Sequence, residues 1–323
     1  MRLGRWAQLG LVFSALLPAT VSSAQSVQIL KTEAPVERIV RSDAGVFVQA
    51  GGRYQAAVPC PGQTGLCLKP AETPGEADFA PAGALPDGRI ATAMTGDIRR
   101  AWYARPTNRY AHGVLGDATE AGSLVVATAG GVQFEFALPD AQVFEDLTPR
   151  IADLDGNGTN EVIAIRSSKT GGAAVGLYGV ADGQLRELAV SSENGRANRW
   201  LNIAGLVPHS DGGLTIYGVR TPHINGRLFS LDFRNGNLTE TNDIATDVSN
   251  HTIGSRELGL SAVGDFGGRL ELILPSQDHR RLRFPLSGRA DIALPGAIDK
   301  AIALVDGIVL TSTQDGGLIA VTR

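Results

Sequence analysis

The chain has 323 residues with 40 glycines, and its 29 lysine and arginine side chains face 33 aspartates and glutamates, for a net charge of −4. This acidic balance argues against the broad basic surface of a nucleic-acid-binding protein. Frequent glycines and short turn dipeptides disfavour long helices and predict many short β-strands.

Residues 1–24 have the features of a cleavable secretory signal. Arg2 and Arg5 form a positive start, an apolar run extends from Leu9 to Leu17, and Ser22-Ser23-Ala24 offers small residues for cleavage. The apolar run is shorter than the roughly 20 residues that cross a bilayer. We therefore expect cleavage after Ala24, a periplasmic or secreted location, and no membrane span in residues 25–323.

A short theme recurs along residues 25–323: a small polar turn, an apolar strand, a tight turn that usually contains glycine, and an alternating strand. Seven copies have strands beginning near residues 45, 89, 124, 161, 214, 270 and 307. Such spacing in an all-β chain is typical of propeller blades, each of which packs against its neighbours. The sequence therefore predicts a single all-β domain, a seven-bladed β-propeller, with a pair of β-sandwiches as the main alternative. Val27–Lys31 is a candidate strand for joining the first blade to the last.

The two cysteines, Cys60 and Cys67, lie close together around a turn-rich segment. Their spacing excludes a CxxC redox pair, and the absence of nearby histidines or further cysteines argues against a zinc site. In an oxidising compartment they predict one disulfide. Residues 61–82, rich in proline, glycine and acidic groups, are predicted to be a surface loop that holds it.

One segment, Asp153 to Glu161, has an explicit metal-binding pattern. Oxygen-bearing side chains occupy its first, third, fifth and ninth positions: Asp153, Asp155, Asn157 and Glu161, with Thr159 between the last two. Calcium prefers six to eight hard oxygen ligands, which a tight loop of this kind supplies. An EF-hand is excluded because its twelfth position requires glutamate, and Ala164 stands there. The alternative is a turn without metal, because Asp-Gly and Asn-Gly are ordinary turn formers.

This segment resembles the FG-GAP or VCBS repeat, found in integrin-like propellers and in many secreted bacterial proteins. The matching residues are Ile151-Ala152, the run from Asp153 to Gly158, and Glu161-Val162 at the start of a strand. The resemblance implies a propeller with calcium loops between strands. The other copies retain at most one acid, at Asp117, Asp265 or Asp306, so we expect one calcium site rather than one per blade.

Other chemistry-bearing residues give weaker signals. The five histidines, His112, His209, His223, His251 and His279, are scattered singly along the chain. A set of them could converge at the propeller's centre, but a lone histidine in a loop is more often a surface residue, and we interpret them so. Asp117 and Glu120 are candidate carboxylates for glycoside hydrolysis, but they fit a solvated turn equally well. No serine-hydrolase elbow and no phosphate- or dinucleotide-binding motif is present.

The sequence thus favours an exported, non-enzymatic propeller that contains one structural calcium and binds a protein or glycan partner through rim loops. The insertions at residues 191–212 and 220–256 would shape that rim. The alternative is a propeller enzyme of the glycosidase or lyase type with its site in the central channel. Carboxylates, histidines and arginines at the axis would favour the enzyme, whereas small apolar groups there would exclude it.

Overall fold

The structure, a computed structural model, describes residues 26–75, 81–210 and 212–323. The predicted signal at residues 1–24 lies outside the described residues. The described part of the chain contains β-strands and turns and no α-helix. In particular, it has no helix with the length and apolar character needed to cross a membrane.

The strands form successive antiparallel sheets, in which neighbours along the chain pair with each other. The N-terminal strand is β1 (Ser26–Leu30). Blade 1 follows and consists of β2 (Val36–Ser42), β3 (Gly45–Ala50), β4 (Arg53–Pro59) and β5 (Leu66–Ala71). Blade 2 consists of β6 (Ala91–Thr92), β7 (Ile98–Thr107), β8 (Glu120–Thr128) and β9 (Gln133–Ala137).

Blade 3 has a first strand in two pieces, both paired with the same neighbour. Its strands are β10 (Gln142–Phe144), β11 (Arg150–Ala152), β12 (Glu161–Ser168), β13 (Gly172–Ala181) and β14 (Gln184–Val190). A single pair, Phe144 opposite Ala121, joins β10 to β8 and links blades 2 and 3 into one nine-stranded sheet.

The remaining blades are four-stranded. Blade 4 consists of β15 (Leu201–Pro208), β16 (Leu214–Arg220), β17 (Arg227–Arg234) and β18 (Asn237–Thr246). Blade 5 consists of β19 (Ala262–Asp265), β20 (Leu270–Pro275), β21 (Arg281–Phe284) and β22 (Arg289–Ala293). Blade 6 consists of β23 (Ala303–Val305), β24 (Ile308–Ser312), β25 (Leu318–Thr322) and, as its fourth strand, β1.

Pairing of the first and last strands closes the ring. β1 runs antiparallel to β25, with Ser26 opposite Thr322 and Leu30 opposite Leu318. This confirms the predicted joining strand at the N-terminus, one residue earlier than expected. Buried residues of blades 1 and 6, such as Val48 and Leu310, also share one hydrophobic cluster. The protein is therefore an all-β propeller.

The predicted count of seven blades is not confirmed, because the described residues form six. Two of the seven sequence copies, those near residues 89 and 124, lie in the same sheet: β7 and β8 are paired over most of their length. The apolar strand of one copy is therefore the neighbour of the other and not the start of a new blade. Strong strand character alone does not show where one sheet ends.

The core consists of clusters between successive blades. Blades 2 and 3 share a cluster that includes Tyr103 and Tyr178, and blades 3 and 4 share one around Trp200. Further clusters join blades 4 and 5 and blades 5 and 6. Burial between blades is how a sheet with two apolar faces is stabilised in this fold.

The disulfide between Cys60 and Cys67 is present, with a Cα–Cα distance of 5.0 Å. Its surroundings differ from the prediction, because Leu66–Ala71 of the expected surface loop forms strand β5 and pairs with β4. The disulfide therefore closes a hairpin at its turn. Val58 lies opposite Cys67, so the bond ties two strands that are already in register.

The meander places loops at two ends of the propeller. We call "lower end" the side with loops between first and second and between third and fourth strands of a blade. The "upper end" has the loops between second and third strands and the connections from blade to blade. In an antiparallel meander these two sets necessarily lie on opposite sides.

Candidate functional site

The acidic loop lies at the lower end, where it joins β11 to β12. The register of that pair sets Ala152 opposite Glu161 and leaves residues 153–160 as the hairpin loop. Asp153 holds the loop closed, because its two carboxylate oxygens accept the backbone N–H groups of Asn157 at 3.0 Å and Gly158 at 2.9 Å. Gly156 has a φ of 75°, which only glycine adopts without strain and which permits the turn.

Three of the predicted ligands converge. One carboxylate oxygen each from Asp153, Asp155 and Glu161 lie within 4.8 Å of one another. Burial, together with the charges of Asp155 and Asp153, raises the pKa of Glu161 to about 7, although its bond from the Leu154 N–H opposes the shift. A cation at this point would relieve the repulsion, and the donor set of hard oxygens fits calcium.

The other two predicted ligands are engaged with each other. The Asn157 side-chain oxygen accepts the Thr159 N–H at 2.7 Å and also the Thr159 hydroxyl. Both residues nevertheless line the same cavity of about 220 Å³ as Asp155 and Glu161. Asp97 of blade 2 also lines it and accepts the N–H of Asn160 at 2.7 Å. Asp97 is a further oxygen donor that the sequence analysis did not identify. The assignment of calcium itself stays a prediction.

A second polar site lies at the upper end, and it corrects the interpretation of the histidines as surface residues, because His251 is 1% and His279 is 8% exposed. Four of the five histidines come from loops of different blades: His112 from blade 2, His223 from blade 4, His251 from the connection to blade 5, and His279 from blade 5. Nε2 of His223 lies 2.7 Å from Nδ1 of His251. Trp200 contacts both rings, with centroid distances of 6.0 and 4.7 Å.

Hydrogen bonds fix the tautomers of the His223–His251 pair. Nε2 of His251 donates to the Ser255 carbonyl at 2.8 Å, so its Nδ1 accepts the proton of His223. Burial and then the nearby His251 lower the pKa of His223 to about 3. Burial likewise lowers the pKa of His251 to about 4. Both rings are therefore neutral at physiological pH.

His112 is held by a carboxylate from the neighbouring blade. Its Nδ1 lies 2.6 Å from Oε1 of Glu145, which is fully buried in the break between β10 and β11. Ser167 donates its hydroxyl to the other oxygen of Glu145. Trp200 donates its indole N–H to the Glu145 backbone carbonyl at 3.0 Å, which links this dyad to the histidine pair.

Glu120 is buried, contrary to the prediction of a solvated turn. It begins β8, and the register of Ala121 opposite Phe144 sets it beside Glu145. Only 2% of Glu120 is exposed. Burial first, and then the charges of Glu145 and Asp117, raise its pKa to about 9. Glu120 is therefore a neutral carboxylic acid at physiological pH.

A strap formed by residues 249–258 closes the upper end. It belongs to the connection between blades 4 and 5, yet it contacts blade 2: the Gly254 N–H donates to the Val114 carbonyl at 2.8 Å. Arg256 forms ion pairs with Asp87 at 2.8 Å and Asp117 at 2.6 Å. Because blade 3 separates blade 2 from blade 4, these contacts span the central channel.

The sequence contains one signal that could have found the histidine cluster. His112, His223 and His279 all lie in loops between the second and third strands of their blades. Those loops share one end of the propeller, so equivalent positions in the repeat imply proximity. His209 lies in a first-to-second-strand loop instead, and it pairs with Asp232 at the lower end, with 2.8 Å between Nε2 and Oδ1.

An open groove of about 480 Å³ lies at the upper end between blades 5 and 6. Its lining combines apolar and hydrogen-bonding groups, among them Ile29, Arg280, Ala297, Gln314 and Asp315. Ile29 projects from β1 and is 70% exposed, so it offers apolar surface at the edge of the groove.

Comparison with known proteins gives no family assignment. No protein-family profile and no curated protein matches the chain. Among solved structures, the exotype rhamnogalacturonan lyase YesX aligns with 90% of this chain at 14% identity and a TM-score of 0.42. AofleA from Arthrobotrys oligospora aligns with 93% of it at 11% identity and a TM-score of 0.38.

BamB from Moraxella catarrhalis aligns with 93% of the chain at 10% identity and a TM-score of 0.28. The aligned part covers 65% of YesX, 87% of AofleA and 98% of BamB, so the chain spans less than two thirds of YesX. Similarities of this size assign neither family nor activity. The propeller fold rests on the strand pairing described above.

Proposed function

We propose that the chain is an exported propeller, periplasmic or secreted, that is stabilised by one calcium ion and binds a protein or glycan partner at its upper end. The ion would be held by Asp153, Asp155 and Glu161, with Asn157 and Thr159 beside it. The disulfide supports an oxidising compartment. The FG-GAP or VCBS resemblance of the acidic loop supports the calcium.

The groove between blades 5 and 6 carries the binding proposal. Its volume of about 480 Å³ is within the usual range of ligand sites and suits a short segment, such as a few sugar rings or peptide residues. Ile29 offers an apolar contact, while Arg280, Gln314 and Asp315 offer donors and acceptors. This mixture is typical of sites where apolar contact gives affinity and a few polar groups give orientation.

A binding screen tests this proposal directly. The mature protein is titrated against a glycan array and against extracellular protein fractions, beside the variants Arg280→Glu and Ile29→Ser. We expect each variant to weaken binding at least tenfold. Arg186→Glu, on the outer strand of blade 3, is the matched control and should bind as the wild type does. Equal binding by all four proteins would place the partner elsewhere.

A second candidate function, an enzyme with its site in the central channel, is favoured by one observation. Glu145 is hydrogen-bonded to His112 and to Trp200, and Trp200 contacts the His223–His251 pair, so one series of contacts joins blades 2, 3 and 4 and the connection to blade 5. We infer that this group faces the central channel, which the strap with Arg256 spans. Carboxylates, histidines and an arginine at the channel are the feature that the sequence analysis named as favouring catalysis.

A further inference from the structure

In the His112 ring a hydrogen bond engages the Nδ1 nitrogen, whereas the Nε2 nitrogen has no hydrogen-bond partner among the described residues. Glu145 accepts the Nδ1 proton at 2.6 Å, and its own burial is complete. Among the described residues, only Glu145 is hydrogen-bonded to this ring, so Nε2 keeps its lone pair. The side chain retains 13% exposure at the channel end. A histidine that a carboxylate orients in this way is suited to accept a proton.

The neighbouring Glu120 is suited to the opposite role. The strand register sets it beside Glu145, and two carboxylates so close in a buried site cannot both ionise. The Glu145 carboxylate accepts hydrogen bonds from His112 and Ser167, whereas no described side chain donates one to the Glu120 carboxyl group. The proton of the pair therefore belongs to Glu120, which can donate it.

The negative charge around Glu120 restricts the kind of substrate that this site could bind. Carboxylates predominate around Glu120: the nearby acids are Asp87, Asp117, Glu145 and Asp146. Two arginines, Arg256 and Arg150, already pair with three of them, Asp87, Asp117 and Asp146. An anionic substrate would be repelled, because no unpaired cation faces it among these residues.

We propose that His112 and Glu120 are the base and the acid of a site that hydrolyses glycosidic bonds of an uncharged glycan, with Glu145 as the positioning residue. The proposal deepens the second candidate function and rests on it. Glycoside hydrolysis needs an acid that protonates the departing oxygen and a base that activates water, and here His112 would take the place of the second carboxylate.

The step consumes one water. The water oxygen attacks the anomeric carbon while one of its protons passes to Nε2 of His112. The electron pair of the broken C–O bond goes to the departing oxygen, which takes the proton of Glu120. Two hydroxyl products result, the Glu145 carboxylate stabilises the imidazolium, and the proton on His112 returns to Glu120 through solvent.

Chemical modification tests the base without any substrate. Diethyl pyrocarbonate acylates neutral imidazole nitrogens, and peptide mass spectrometry measures the rate at each histidine. We expect His112 to react, and its rate to fall about threefold in Glu145→Gln, because a neutral amide polarises the ring less than a carboxylate does and leaves Nε2 a weaker nucleophile. His209, which Asp232 holds in a similar way at the lower end, is the internal control and should keep its rate.

An unreactive His112 under conditions that modify His209, or an unchanged His112 reaction rate in Glu145→Gln, would overturn its assignment as the base. Circular dichroism of each variant checks that the fold is retained, because Glu145 is buried.

Hydrolysis of uncharged oligosaccharides, followed through new reducing ends, tests the reaction. We expect His112→Gln and Glu120→Gln to lose at least 100-fold, while His209→Gln keeps wild-type activity. Glu120→Gln should keep most activity on nitrophenyl glycosides, whose leaving group needs no proton. Equal loss on both substrates would overturn the acid role of Glu120.

The two assays distinguish a wrong assignment of the acid and the base from a wrong enzymatic function. A reactive, Glu145-dependent His112 with no glycan cleaved would overturn the glycosidase function. Cleavage that survives His112→Gln would support the enzyme and overturn these residues as its acid and base.

Discussion

Glu120 differs from an ordinary glutamate because folding takes its carboxyl group out of water and sets it beside Glu145. Its pKa rises from 4.5 to about 9. The folded state therefore holds a proton that the unfolded state releases above pH 4.5. Below pH 4.5 the group is protonated in both states, and its burial carries no penalty that depends on pH. Between pH 4.5 and 9 folding requires the uptake of a proton, so the free energy of unfolding falls as the pH rises.

The variant Glu120→Gln should remove this dependence. An amide is neutral at every pH, so we expect the variant to gain about 3 kcal/mol over the wild type at pH 7, and little at pH 4.5. Urea unfolding at pH 4.5, 7 and 8.5 measures the difference. Glu33→Gln, at an exposed site, is the control and should follow the wild type. A constant difference between Glu120→Gln and the wild type would contradict the assigned ionisation.

The acidic loop makes a separate prediction at the same scale. Calcium should raise the unfolding midpoint of the wild type relative to EDTA, because an ion bound only by the folded state contributes about 2.7 kcal/mol at 100 times its dissociation constant. Asp153→Ala/Asp155→Ala should lose this response. Asp265→Ala, in the equivalent loop of blade 5, should keep it. Differential scanning calorimetry measures these midpoints. Identical midpoints in calcium and EDTA would show that the acidic loop is an ordinary turn without metal.

At the scale of the element, a feature formed by consecutive residues could be predicted from the sequence, whereas contacts between segments far apart in the chain could not. The acidic loop could be predicted because Asp153 to Glu161 are nine consecutive residues, and their convergence needs only one hairpin. The strap could not be predicted, because Gly254 meets Val114 only when the ring has placed blade 4 across from blade 2. The same limit applies to His112 and His223, whose proximity depends on the whole ring.

The strap depends on one close approach of backbones. Gly116 has a φ of 101°, and a Cβ there would lie 2.8 Å from the Gly254 carbonyl oxygen. Gly116→Ala should therefore displace the strap from blade 2 and lower the free energy of unfolding by an amount on the order of 1–3 kcal/mol. Hydrogen exchange should accelerate in residues 110–117 and 249–256 and stay unchanged in the blade cores.

A second glycine provides a matched control for that substitution. Gly131 has a similar positive φ of 80°, but a Cβ there meets nothing within 4 Å. Gly131→Ala therefore carries the backbone strain without the clash, and its strap should exchange as in the wild type. Accelerated strap exchange in both variants would show that strain, and not contact with Gly254, explains the effect.

At the scale of the whole molecule, stability depends on closing the ring. Seven strand copies could be counted from the sequence, but the sheet boundaries that reduce them to six blades depend on which edges pair. β1 is the clearest case. Its five residues cover the edge of β25, whose own residues are buried, and they join the two ends of the chain.

Removal of residues 26–30 should open the ring where β1 pairs with β25. The uncovered edge of β25 would leave unpaired N–H and C=O groups, which are costly when buried and promote pairing with other chains. We expect a lower unfolding midpoint and concentration-dependent oligomers in size-exclusion chromatography. A synthetic peptide of residues 26–31 should restore both properties by adding as the missing strand.

The same peptide with Gln28→Pro is the matched control, because proline in the middle of the strand prevents regular pairing. It should restore neither the midpoint nor the monomer. A truncated protein that stays monomeric with an unchanged midpoint would mean that the apolar cluster between blades 1 and 6, around Val48 and Leu310, closes the ring without β1. Rescue by the wild-type peptide alone would show that strand pairing, and not only apolar burial, holds the first and last blades together.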